Sequence, residues 1–358
     1  MLQFDPALRY QCVQCGRSCA SWNVWVEDQV LEQIRPLEMT LRVIQERGQA
    51  FEEEGGRYKM FRDSSHDACG YRSPALLCNI HSELGMTAKP LGCQQFPYLL
   101  RRLPDGRVLV SASFACTAVR EQQGPLLSES RAEVESLLGR QAFCEDLPAQ
   151  LDGLPGQSLQ AWQVFEWEGE FERLRSSLGW RASLSSALAC LCQQLPLQGQ
   201  PLSGNWEWFR TVLVTSLLKL CLDDPDRKLW PGIDQAVAQG GCFELPEFAW
   251  SGAWSELEQF QLEQVAGRFA EEEAAFLGAL WFRRAHWSLG GLLPGLLMYW
   301  ALPDLLEKLT FLFACRDAQA VTHSQYGEAL RLVELSLLAH SKNGALVVER
   351  LAPHCLQL

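Results

Sequence analysis

Seven of the chain's fourteen cysteines fall within its first 116 residues, and they are grouped. Cys12, Cys15 and Cys19 form a Cys-x-x-Cys-x-x-x-Cys run; Cys69, Cys78 and Cys93 follow, and Cys116 closes the set. Thiolates are strong soft ligands for zinc and for iron–sulfur clusters, and a two-residue gap lets neighbouring thiolates converge on one centre. Whatever elements form in the first third must therefore bring distant sulfurs together. A chain of 358 residues buries about 75% of the surface its unfolded form exposes and needs no cross-links to fold. Stabilisation alone does not account for so many cysteines.

The long gap between Cys19 and Cys69 is no obstacle to a shared centre. Closing a loop of about 50 residues costs roughly 3.5 kcal/mol plus a constant. A structural zinc contributes on the order of 10–16 kcal/mol in small peptides, so the metal term wins. The spacing points to metal without naming it. Radical-type iron–sulfur enzymes show the two gaps of the first run in the opposite order, and the bacterial ferredoxin run ends in Cys-Pro. A four-cysteine zinc site pairs two Cys-x-x-Cys knuckles, and only Cys12/Cys15 forms one here. The wide spacing of Cys69, Cys78 and Cys93 suits a cluster or a multinuclear site better. Seven thiols exceed one four-ligand centre, so either two centres exist or some thiols are not ligands. A cluster held by three cysteines would leave one iron open to a small molecule. His81, three residues after Cys78, is read as a neighbour of the site rather than a ligand. Cys144, Cys190, Cys192, Cys221, Cys242, Cys315 and Cys355 show no such grouping and read as core or surface thiols.

The fold class expected is mainly α: a small Cys-rich α+β metal-binding region with a hairpin, then an all-helical region. Residues 1–123 form the first part and 124–358 the second. In the first, Trp22–Val26 alternates like a short strand. Val30, Ile34, Leu37, Leu41 and Ile44 recur at helical steps within 27–54, with Pro36 interrupting and Gly55-Gly56 ending the run. Arg57–Arg62 reads as a strand. Phe96–Arg102 and Arg107–Phe114 flank Leu-Pro-Asp-Gly, a strong hairpin signal that brings Cys93 and Cys116 together at the open end. Beyond Gly124-Pro125, Ser130-x-x-Glu133 and Ser255-x-x-Glu258 are capping-box patterns. Helices are expected near 158–178, 181–194, 206–222, 256–287, 292–314 and 322–341.

The formal charge is −12, and all of it lies after residue 123: the first 123 residues carry 14 basic and 14 acidic side chains, the rest 17 and 29. An acidic body repels phosphate backbones, which argues against nucleic-acid binding. The run from Ala285 to Pro303 is broken by Gly290, Gly291, Pro294 and Gly295 and reads as a buried helix pair with a kink, not a membrane span. The start, Met1-Leu-Gln-Phe-Asp-Pro, shows no basic stretch leading into an apolar one, so a cytoplasmic location is expected, where thiols stay reduced. Glu166, Glu168, Glu170 and Glu172 read as a solvated helix face, and Arg283, Arg284 and His286 as a helix-end charge cluster.

The run Cys12-Val-Gln-Cys15-Gly-Arg-Ser-Cys19 resembles the signature of the cysteine-cluster family described as zinc- or iron-chelating, the YkgJ type. Cys78-Asn-Ile-His81 and Pro90-Leu-Gly-Cys93-Gln-Gln-Phe96-Pro97 match its second half. The flagellin lysine-N-methylase branch is the most similar: Ala20-Ser21-Trp22-Asn-Val-Trp-Val-Glu27 and Ser113-Phe-Ala-Cys116 look like its segments. The chain departs from that pattern at Ser18, which stands where relatives carry the first cysteine of a pair, and at Tyr98, where the branch tends to place Arg. Either one donor is lost or Cys116 replaces it. The resemblance implies an iron–sulfur cluster (zinc being the alternative), S-adenosylmethionine as cofactor and a protein substrate methylated on lysine Nε. No Gly-x-Gly-x-x-Gly follows a strand, so the usual fold for that cofactor is not indicated. Composition and spacing by themselves do not make the chain an enzyme. The alternative is a non-catalytic zinc or iron–sulfur domain with a structural, electron-transfer or partner-binding role.

Overall fold

The structure, a computed structural model, describes residues 1–17, 24–63, 68–153, 157–193, 205–222, 237, 239–338 and 343–355. The Leu-Pro-Asp-Gly turn does what its residues dictate. It joins Tyr98–Arg102 to Val108–Ala112 as an antiparallel hairpin with Tyr98 opposite Ala112. Two strands that the sequence does not announce extend it in parallel, Leu2–Phe4 against Val108–Ala112 and Glu145–Asp146 against Tyr98–Arg102. A central strand buried on both faces reads as Val-Leu-Val-Ser-Ala, with no polar alternation.

The segment expected as helix over 27–54, interrupted at Pro36, is two helices and a strand. Asp28–Ile34 ends before Pro36, and Glu38–Arg47 follows. Phe51–Glu54 then pairs with Arg57–Met60 around Gly55-Gly56, both at positive φ, as a two-residue hairpin loop of this hand requires. The glycines therefore turn a strand and do not end a helix. Trp25–Val26 completes the three-stranded sheet on the other side of Arg57–Met60. The helical register also differs: Met39, Thr40 and Val43 face inward, whereas Leu41 and Ile44 are 57% and 42% exposed. These helices, the small sheet, Tyr71 and Ile80 share one core, against which Cys69, Cys78 and Cys93 pack.

The chain divides into two compact units, one of Met1–Arg102 with Arg107–Asp146, the other of Leu103–Gly106 with Leu147–Leu358. The sequence sets the change of character at 123/124. The first unit continues to Asp146 because the helix Arg131–Gly139 packs on the Cys93 segment and Glu145–Asp146 joins the sheet.

The second unit is helical around Leu292–Arg316, which is buried along most of its length and runs through Pro303. Trp180–Cys192, Trp206–Leu222, His323–Val333 and Asn343–Cys355 pack on it. Two short ribbons, Gln150–Asp152 with Ser158–Gln160 and Cys242–Leu245 with Trp250–Ala253, interrupt the helices. The helix expected over 256–287 is three pieces, Trp254–Gln264, Ala270–Phe282 and the turn Ala285–Ser288. Its cap lies two residues earlier than the Ser255 pattern suggests: the Ala253 N–H donates to Glu256, while Glu258 accepts from the Trp254 indole. Among the described residues no helix is long and apolar enough to cross a membrane.

Candidate metal centre

A cavity of about 350 Å³ in the first unit is lined by Cys12, Cys15, Cys69, Cys78, Cys93 and Cys116. Six of the seven grouped cysteines thus line one space, each as a free thiol. Cys19 lies outside the described residues, as do Ser18 and Trp22. None of the later cysteines lines the cavity.

Two anchors bring Cys12 and Cys15 to Cys116. Tyr10 N–H donates to the Pro125 carbonyl and the Arg9 guanidinium to that of Gly124. A side chain on Gly124 would lie 2.4 Å from the Gln11 Cβ, so only glycine lets the two segments approach this closely. Cys116 itself begins the short helix Thr117–Arg120. Burial pushes its thiol up, the backbone N–H groups of Val119 and Ala118 draw it down, and the nearby Cys15 and Cys12 add to the rise. Amide donors aimed at a sulfur stabilise its thiolate, the form that binds metal.

Cys69 and Cys78 are joined by a tight excursion. Cys69 pairs with Arg62 at the end of a ribbon, and Cys78 bridges back to Arg72. The Asn79 N–H donates to the Tyr71 carbonyl and the Arg72 N–H to that of Cys69. Tyr71 is fully buried beneath them, with its hydroxyl 2.8 Å from that of Thr40. Its pKa is pushed up to about 12, chiefly by burial, with Cys69 and Cys78 contributing. Cys78 precedes the helix Asn79–Leu84, and Cys93 lies within Leu91–Gln95. The Glu27 carboxylate caps that second helix by accepting from the Leu91 N–H at 3.1 Å. Gln95 ties it to Phe143 by two hydrogen bonds.

The two halves of the wall touch at Gly16, whose φ is +63°. A Cβ there would fall 2.1 Å from the Leu76 carbonyl oxygen. The sequence offers this glycine as part of the cysteine run but not its contact. Tyr98, where the methylase branch tends to carry Arg, is buried; it stacks edge-on with Tyr10 at 5.6 Å and donates to Glu133 at 2.7 Å. The bulk of a tyrosine thus fixes the Tyr10–Cys12 stretch.

Among the described residues no three His, Cys, Asp or Glu side chains clasp a single ion. The thiols ring a space instead of meeting at a point. That donor set fits a polynuclear, sulfur-ligated centre: several soft sulfur donors, one backed by amide N–H groups, around a volume larger than one ion needs.

The charge cluster in the second unit has other partners. Arg283 is paired with Glu334 through two hydrogen bonds of 2.9 and 3.0 Å, both side chains fully buried. Glu168 is 5% exposed and not on a solvated face. It accepts from Arg284, from the Trp287 indole and from the His286 imidazole, at 2.9, 3.0 and 2.9 Å. Although burial alone would raise its pKa, His286, Arg284 and Trp287 hold it below the usual carboxylate range. Arg283 and Arg284 are thus paired internally with Glu334 and Glu168. Set against protein-family models, curated proteins and solved structures, the chain gives no match.

Proposed function

We propose that the first unit holds an iron–sulfur cluster in the thiol-lined cavity and that the protein is an S-adenosylmethionine-dependent lysine N-methylase acting on a protein substrate. The observation that carries the first part is the gathering of Cys12, Cys15, Cys69, Cys78, Cys93 and Cys116 around one cavity from segments more than a hundred residues apart. The second part rests on the resemblance of the cysteine motifs. When bound, a cluster held by three of these thiolates supplies a Lewis-acidic iron to a small molecule. The chain's own residues orient the thiolates, donate to the Cys116 sulfur and screen the site with apolar side chains such as Met60, Ile80 and Phe96. A reducing compartment, the cytoplasm, is where such thiols persist as ligands.

Iron and acid-labile sulfide analysis of anaerobically purified protein tests the first part. The expected result is a coloured protein with both in near-equal amounts. A colourless, sulfide-free protein containing zinc replaces this reading with a non-catalytic zinc domain. Transfer of labelled methyl groups from S-adenosylmethionine to lysines of flagellin tests the second part, and its absence with an intact cluster confines the proposal to cluster binding.

A further inference from the structure

Besides the thiols, the ionisable side chains lining the cavity are Tyr10, Arg62, His81 and Lys89; among the described residues no aspartate or glutamate takes part. Lys89 sits between the turn Met86–Ala88 and the helix Leu91–Gln95. Its position is built. The buried Gln94 donates to the Lys89 carbonyl at 2.5 Å and accepts from Arg140 at 2.8 Å, and Pro90 fixes the next residue. His81 lies one turn beyond Cys78 on Asn79–Leu84. Neither the Lys89 nor the His81 side chain has an ion-pair or hydrogen-bond partner among the described residues.

A cation half-buried in a cavity walled by Val24, Met60, Ile80 and Phe96 has lost part of its hydration with no carboxylate in return among the described residues. An anion entering the cavity restores the balance. A metal–thiolate centre offers diffuse negative charge, whereas a carboxylate accepts directed hydrogen bonds from an ammonium. We propose that Lys89, assisted by His81, binds the carboxylate of the small molecule that enters the thiol-lined cavity. The choice of that molecule rests on the methylase reading, and S-adenosylmethionine, which carries one carboxylate, is the probe.

Calorimetric titration of anaerobic protein with S-adenosylmethionine and with its decarboxylated analogue tests this without any variant. The wild type should bind the first at least about tenfold more tightly, the effect of one charge-assisted hydrogen bond. Lys89→Met should bind both alike, Lys89→Arg should keep most of the contrast, and His81→Gln should lose part of it. Iron and sulfide per chain should stay at the wild-type level in all three. Equal wild-type affinity for the two ligands, binding of neither, or a contrast that survives in Lys89→Met overturns the inference. So does loss of iron from Lys89→Met, which would make the lysine a counter-charge to the centre. A wild type without iron and sulfide ends the cluster reading instead, and the ligand contrast is then read on the same preparation.

Discussion

Replacing Gly16 by alanine separates the two halves of the cysteine wall, and the size of the effect follows from two numbers. The φ of +63° costs a non-glycine residue about 1–2 kcal/mol. The new Cβ would start 2.1 Å from a backbone carbonyl, against the 3.4 Å at which ordinary contact begins, so the loop must retreat by more than an ångström. Metal–ligand distances tolerate deviations of only about 0.2 Å. Cys15, the adjacent residue, cannot absorb such a shift and keep its place in the wall. Gly56→Ala is the control. It carries similar strain, with φ +76°, but nothing lies within 4 Å of its Cβ. Iron and sulfide per chain and the melting temperature should be measured for both variants. Gly56→Ala should lose about 1 kcal/mol of stability and keep its metal, whereas Gly16→Ala should lose more stability and most of its metal. Equal metal content in the two variants would refute the argument that this contact sets the site.

Alanine at Cys12, Cys15, Cys78 or Cys93 should abolish or sharply lower bound metal in elemental analysis, while alanine at Cys190 or Cys315 leaves it unchanged. Glu334→Ala removes the carboxylate paired with the buried Arg283 and should cost about 3–5 kcal/mol in urea unfolding; the double change with Arg283→Met should recover part of it. The Glu168 carboxyl titrates lower in the folded state than in the unfolded chain, so on acidification the unfolded chain takes up its proton first. Its contribution to stability is present above the ordinary carboxylate range and lost as pH falls through the folded value. Glu168→Gln should therefore lower the melting temperature at neutral pH, with the gap to wild type closing below about pH 4. A gap that stays constant across that range would show that the shift is not what stabilises the fold.

Much of this was legible in the chain. Leu103-Pro-Asp-Gly106 specifies the hairpin, and the hairpin places Cys93 and Cys116 on one cavity. The grouping of the cysteines marks the region where six of them line one cavity. What was not legible depended on tertiary contacts. Phe51–Glu54 has three acids in a row and reads as the end of a helix, yet Lys59 pairs with Glu52 and Glu54 across the hairpin and stabilises it as a strand. Glu168 looks like one of four solvated acids, but it shares a helical stripe with the buried Val164 and Phe171. Lys89 carries no motif at all; a lysine before proline is unremarkable until Gln94 and the basic lining of the cavity give it a setting. Leu2–Phe4 is too short for any periodicity, and its partner lies a hundred residues away.

That last pairing has a bearing on biogenesis. Synthesis delivers Cys12 and Cys15 first, yet the backbone that holds them belongs to Val108–Ala112 and to Gly124-Pro125. Until those segments leave the ribosome the earliest thiols have no scaffold and stand exposed to oxidants and stray ions. On the cluster reading proposed above, assembly waits for those segments, and a nascent chain arrested before residue 126 should take up no iron even with an assembly machinery at hand.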